Sequence, residues 1–216
     1  MGQLAVVCVG TPRAHEWLGR TVRTAIFKTP VPGRVTVEGV NLHGDGQADG
    51  RVHGGPDKAV YAYAAFDTAW WERQLGRDLG PGAFGENLHV AGMDVSEAVV
   101  GERWRVGSTL LEVCQPRIPC FKLGLRMGDA RFPPRFAAAG RPGAYLRIVE
   151  DGDVGAGDLV TVEDRPDHDV TVALVAEAYN RDRALAPRLL EAPQLTGSWV
   201  TWAEDVVARH TGGTKR

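Results

Sequence analysis

The chain has 216 residues, with 25 lysines and arginines against 27 aspartates and glutamates, and it is 44% hydrophobic and 24% charged. That length fits one large domain or one domain with a small appendage, and a net charge of −2 excludes a broadly basic surface built for nucleic acid polymers. The apolar fraction excludes global disorder, and no run approaches the roughly 20 apolar residues of a membrane span, so a cytoplasmic protein with no membrane partner is expected.

The opening run Leu4–Val9 reads as a first strand rather than a signal peptide, because no charged segment precedes it. Gly10–Arg20 has no clear pattern and is expected to be a surface loop. Short β-branched or apolar runs follow at Val22–Phe27, Val35–Val37, Ala59–Ala64, Thr109–Val113, Ala144–Val149 and Leu159–Val162. The 27 glycines and 13 prolines fall largely between such runs, where tight turns need them. Regular alternation of strand and helix is missing, so the fold class is mainly β with helices: a curled sheet or barrel rather than a doubly wound sheet. Asp67–Arg77 reads as one amphipathic helix, with Asp67 at its start and Trp70, Trp71 and Leu75 on its apolar side. Asp129–Ala139 is a second, interrupted by Pro133 and Pro134.

Beyond Arg165-Pro166-Asp167 glycine becomes scarce. Thr171–Asn180, Ala184–Glu191 and Ser198–His210 read as three helices, the last with Ser198 as its N-cap and with Trp199, Trp202, Val206 and Val207 on one face. The expected organisation is a barrel-like domain over residues 1–165 and a three-helix C-terminal domain over 166–216.

The three cysteines, Cys8, Cys114 and Cys120, are too few and too scattered for a disulfide framework. Cys8 and Cys114 lie in apolar runs and read as core thiols. Cys120 stands in Gln115-Pro-Arg-Ile-Pro-Cys-Phe-Lys-Leu123, stiffened by Pro116 and Pro119 and flanked by Arg117 and Lys122. Cationic neighbours favour the thiolate, the form that attacks electrophiles and binds metals; a buried structural cysteine is the plain alternative. In Val52-His-Gly-Gly-Pro-Asp-Lys58, the pair Gly54-Gly55 lets backbone N–H groups approach a ligand, and His53 and Lys58 add donors or charge, which suits an anion. An ordinary turn explains the same residues. Glu86 and Asn87 in Phe84-Gly-Glu-Asn-Leu88 either orient a substrate or cap a turn, and Lys28 leaves a strand in Ala25-Ile-Phe-Lys-Thr-Pro30. The spacings of a P-loop, a zinc site and a nucleophile elbow are all missing.

These four stretches, in their order along the chain, resemble the MOSC family and, within it, the YiiM-like branch, over about residues 20–163; Leu195-Thr-Gly-Ser-Trp199 resembles that branch's helical C-terminal region. The resemblance implies a MOSC-type β-barrel-like domain plus a C-terminal three-helix appendage. It also implies the molybdenum cofactor (Mo-molybdopterin), with Cys120 as the protein's thiolate ligand to Mo. By the same resemblance Lys28, His53, Gly54, Gly55, Lys58, Asn87, Arg117 and Lys122 bind the cofactor, and Cys120 and His53 are catalytic. The implied reaction is reduction of the N–O bond of a small-molecule N-hydroxylated substrate, such as a hydroxylaminopurine or an amidoxime. His53, Glu86 or water would donate the proton. The chain carries no iron–sulfur cysteine set and no flavin or nicotinamide fingerprint, so a separate electron-donating reductase is implied. The alternative is a cofactor-binding or sulfur-carrier MOSC module without reductase activity.

Overall fold

The computed structural model describes residues 1–48 and 54–212, with side chains as far as Arg209. The strands are β1 (Gly2–Val9), β2 (Arg13–Trp17), β3 (Arg20–Thr24), β4 (Thr29–Pro30), β5 (Arg34–Glu38), β6 (Asn41–Leu42), β7 (Val60–Ala64), β8 (Leu88–Ala91), β9 (Arg103–Val106), β10 (Thr109–Pro116), β11 (Ala144–Glu150), β12 (Gly152–Gly155) and β13 (Leu159–Asp164). The helices are α1 (Ala65–Leu75), α2 (Phe121–Met127), α3 (Phe132–Ala138), α4 (Val172–Asn180), α5 (Ala186–Leu189) and α6 (Gly197–Gly212).

Seven strands close into a barrel in the order β13-β9-β10-β11-β7-β8-β1, and β1 pairs back onto β13 through Gly2↔Val160 and Gln3↔Leu159. All pairs in the ring are antiparallel except β7–β8, which run parallel with Tyr63 opposite His89. That parallel pair needs a crossover, and α1 with the following loop supplies it. Closure leaves no free edge in the ring, and its interior is filled by Leu4, Val60, Leu88, Trp104, Leu111 and Leu146 among others. A smaller sheet, β12-β5-β6, lies beside the barrel.

A second apolar cluster lies outside the ring. Trp71 of α1, Phe84, Leu123 of α2, and Phe132 and Phe136 of α3 pack with Tyr61 and Tyr63 of β7. The third belongs to the C-terminal helices, where Val175, Leu189, Trp199 and Val206 share a core with Val100 and Val170. Backbone bonds stitch this region to the barrel: Val100 N–H donates to the Val170 carbonyl (3.0 Å) and Ala173 N–H to that of Ser96 (2.7 Å).

Several local expectations are corrected. Gly10–Arg20 is not a loop, because it holds β2 and the turn into β3, a hairpin that forms its own two-stranded sheet. The strand expected to reach Phe27 stops at Thr24, where the chain bends toward the site. Asp67 lies inside the first turn of α1 rather than capping it. Pro133 and Pro134 open α3 instead of interrupting it, because their missing N–H groups are not needed in a first turn. Ser198 is likewise inside α6, and Trp199 and Val200 N–H groups donate to the carbonyl of Thr196. Helix α2 carries Gly124 in its middle, where a Cβ would come within 2.9 Å of the Asp129 carbonyl.

Candidate functional site

The site forms where several chain segments meet outside the barrel wall. Residues 24–28 leave β3 and pass across the loop 82–87 that enters β8. Two glycines permit that crossing. A Cβ on Gly82 would lie 2.6 Å from the Lys28 carbonyl, and one on Gly85 would lie 2.7 Å from Ile26 Cγ1; both have positive φ. Glu86, wholly buried, holds the loop by accepting the N–H groups of Gly82 (2.6 Å) and Phe84 (3.0 Å), with His89 Nδ1 at 3.2 Å. Its carboxylate is therefore occupied by the fold. Asn87 accepts the Tyr61 N–H (3.1 Å) and donates to the Cys8 carbonyl (3.2 Å) and to Asp45 Oδ2 (2.9 Å).

Asp45 is the central residue that the sequence reading missed. It forms an ion pair with Lys28 and accepts the Gly10 N–H (2.8 Å) as well as Asn87. Burial pulls the Lys28 pKa below the ordinary lysine value, and Asp45 opposes that shift. A buried ammonium is tolerated here because its carboxylate partner is itself fixed by two further donors.

From the opposite side β10 ends at Pro116 and runs into Arg117–Cys120, where Cys120 starts α2. Cys120 is partly exposed, whereas Cys8 and Cys114 are buried. Burial, with Glu86 nearby, pushes the Cys8 thiol up to about 12, and burial pushes Cys114 up to about 11, against the pull of Arg147. Both are core thiols, as their sequence suggested. Arg117 points inward. It donates to the Phe84 carbonyl and lies over the rings of Tyr61 (5.2 Å) and Phe136 (5.9 Å). Burial works against its charge, but Tyr61, Tyr145 and Cys120 outweigh this and its pKa stands above the ordinary value.

These segments enclose a cleft of about 110 Å³. Lys28, Lys58, Asn87, Arg117, Cys120 and Lys122 all line it, together with Asp45, Tyr61 and Tyr145. Gly54 and Gly55 do not. They border a second cavity of about 150 Å³, which Lys58 shares and which Thr196 and Ser198 complete. The Gly55 N–H is already donated to Gln47 Oε1 (2.8 Å). His53 lies outside the described residues. Among the described residues no group of three or more His, Cys, Asp or Glu could hold a metal ion, and no helix is long and apolar enough to cross a membrane.

A seven-stranded barrel that brings a single accessible thiol, lysines and a buried arginine to one cleft is the architecture of a recognisable family. The MOSC domain model matches residues 49–161, and the chain belongs to the MOSC family. YflK of Bacillus subtilis is 34% identical over 194 residues, covering 88% of each chain. YiiM of Escherichia coli is 33% identical over 183 residues, covering 82% of this chain and 81% of its own. The crystal structure of YiiM from Geobacillus stearothermophilus superposes with a TM-score of 0.78 at 27% identity, covering 95% of this chain and 99% of that one. A protein named reductase from Gibberella moniliformis is 34% identical over 153 residues, 69% of this chain and 27% of its own length.

Proposed function

We propose that the cleft binds the molybdenum cofactor and reduces small N-hydroxylated compounds, using electrons from a separate reductase. The observation that carries this reading is the meeting of the Cys120 thiol with Lys58, Arg117 and Lys122 around one cleft. The donor set suits the group. The cleft lining offers one soft sulfur, and no metal-ligating cluster is present among the described residues, which fits a metal whose other ligands arrive with its own cofactor. The cations suit a cofactor that bears a phosphate. The relative named reductase supports an oxidoreductase role.

On this reading Cys120 is the thiolate ligand, and Lys58, Arg117 and Lys122 meet the anionic parts of the cofactor. Lys28 and Asn87 act as a pair with Asp45, which offsets the Lys28 charge, so they hold the cleft floor rather than a phosphate. Gly54 and Gly55 belong to the neighbouring cavity. When bound, the cofactor supplies the two-electron chemistry: R–NH–OH with two electrons and two protons gives R–NH2 and water. Glu86 is not the proton donor, because both its oxygens are held by backbone N–H groups.

The test is molybdenum per protein after reconstitution with the intact cofactor, in wild type and in Cys120→Ala, followed by turnover of a hydroxylamino base with a chemical reductant. Near-stoichiometric metal lost in the variant, together with turnover, is expected. Metal without turnover under any reductant leaves a cofactor-binding module. No metal in either protein overturns the reading.

A further inference from the structure

Two side chains tie the C-terminal helices to the cleft. Ile118 lines the cleft two residues before Cys120 and packs against the apolar cluster of α4–α6. Gln115, buried at the end of β10, is held at both ends of its amide. Trp199 Nε1 donates to Gln115 Oε1 at 2.9 Å, and Gln115 Nε2 donates to the Asp57 carbonyl at 3.2 Å. An indole nitrogen is a donor only, so it fixes which way the amide turns. With the oxygen turned to Trp199, the amide nitrogen must face Asp57, the neighbour of cleft-lining Lys58. Asp57 is held a second time through its carboxylate by Arg147 (3.0 Å). One helix of the C-terminal region thus fixes, through a single glutamine, the two loops that carry Cys120 and Lys58.

We propose that Trp199 is a positioning residue of the site: through Gln115 and the Ile118 contact, the C-terminal helices hold the 116–120 loop against the 54–58 loop. This rests on the reading that Cys120 is the working thiol. Trp199→Phe keeps an aromatic ring in the helical core and removes the N–H. The amide of Gln115 is then free to rotate, and the Asp57 carbonyl loses its fixed donor.

The readout is the alkylation rate of Cys120 by iodoacetamide in the full chain without cofactor, followed by mass spectrometry of each cysteine. Buried Cys8 and Cys114 serve as internal controls. In Trp199→Phe the Cys120 rate is expected to rise by at least about threefold, a modest coupling for groups in contact. The melting temperature should move by no more than about 4 °C, the scale of one hydrogen bond in a chain this size. Trp202→Phe, on the same helix and without a bond to Gln115, should leave the rate at the wild-type value. In a Gln115→Met background, Trp199→Phe should add nothing. The proposal is overturned by an unchanged Cys120 rate in Trp199→Phe, by an equal rise in Trp202→Phe, or by an undiminished effect in Gln115→Met. Loss of the molybdenum reading would appear separately, in the metal content of wild type and Cys120→Ala.

Discussion

Removing the Glu86 carboxylate should unfold the site rather than disable its chemistry. Glu86 is wholly buried and accepts two backbone N–H groups, from Gly82 at 2.6 Å and Phe84 at 3.0 Å, with His89 Nδ1 beside them. Hydrogen bonds to a charged group contribute about 1.5–3 kcal/mol each, so Glu86→Ala should cost about 3–6 kcal/mol. Set against a typical total of about 5–15 kcal/mol, that is a large share of the fold's stability. Glu86→Gln keeps one acceptor oxygen but turns an amide N–H toward the other backbone donor, so about half of that loss remains. Urea denaturation followed by tryptophan fluorescence measures both variants. The reasoning fails if Glu86→Ala loses less than about 1 kcal/mol, the value of a single ordinary hydrogen bond. A proton donor would behave in the opposite way, with Glu86→Gln stable and without turnover.

Asp45→Asn leaves the Lys28 ammonium buried without its counter-charge and should cost about 3–5 kcal/mol. Adding Lys28→Met should recover part of that loss in the same denaturation assay, and a double variant no more stable than the single would refute the pairing. Asp67, buried in the first turn of α1, has its carboxyl pushed up to about 6 by burial, against the pull of Arg141. Its folded pKa lies above the unfolded value, so its contribution is full below about pH 4 and is lost as pH rises through about 6, a change of up to about 3 kcal/mol. Asp67→Asn should flatten the dependence of melting temperature on pH across that window, and an unaltered slope would contradict the assignment. Gly82→Ala forces a side chain to within 2.6 Å of the Lys28 carbonyl at positive φ. It should cost at least about 2 kcal/mol by thermal melting monitored by circular dichroism, and a neutral substitution would mean the loop can step aside.

The barrel was legible in the short, glycine-bounded runs, and the cleft in motifs that carry Cys120, Lys28, Lys58, Arg117 and Lys122. What escaped has physical reasons. The hairpin of β2 and β3 turns through Leu18-Gly19, and Leu18 adopts a positive φ of 50° that no turn signal announces. Its strands also mix charged and apolar residues, so no alternation marks them. Helix α2 is hidden by Gly124, a poor helix former present because the Asp129 carbonyl crowds that position. Asp45 sits between two glycines in an irregular segment, where nothing local distinguishes a solvated aspartate from the partner of a buried lysine. Its role depends on Lys28 and Asn87, 17 and 42 residues away. Arg117 was read as a flank of the thiol, but the aromatic cage of Tyr61 and Phe136 that turns it inward comes from distant segments.

The seam between β1 and β13 also sets a schedule for synthesis. Gly2 finds Val160 only after nearly three-quarters of the chain exists. At about 5–20 residues per second, the nascent first strand waits roughly 8–30 s for its last neighbour. Over that interval the Gly2–Gln3 end of that edge is an unpaired template, while β4 covers its Cys8–Val9 end. That exposure ends only when β13 arrives and closes the ring.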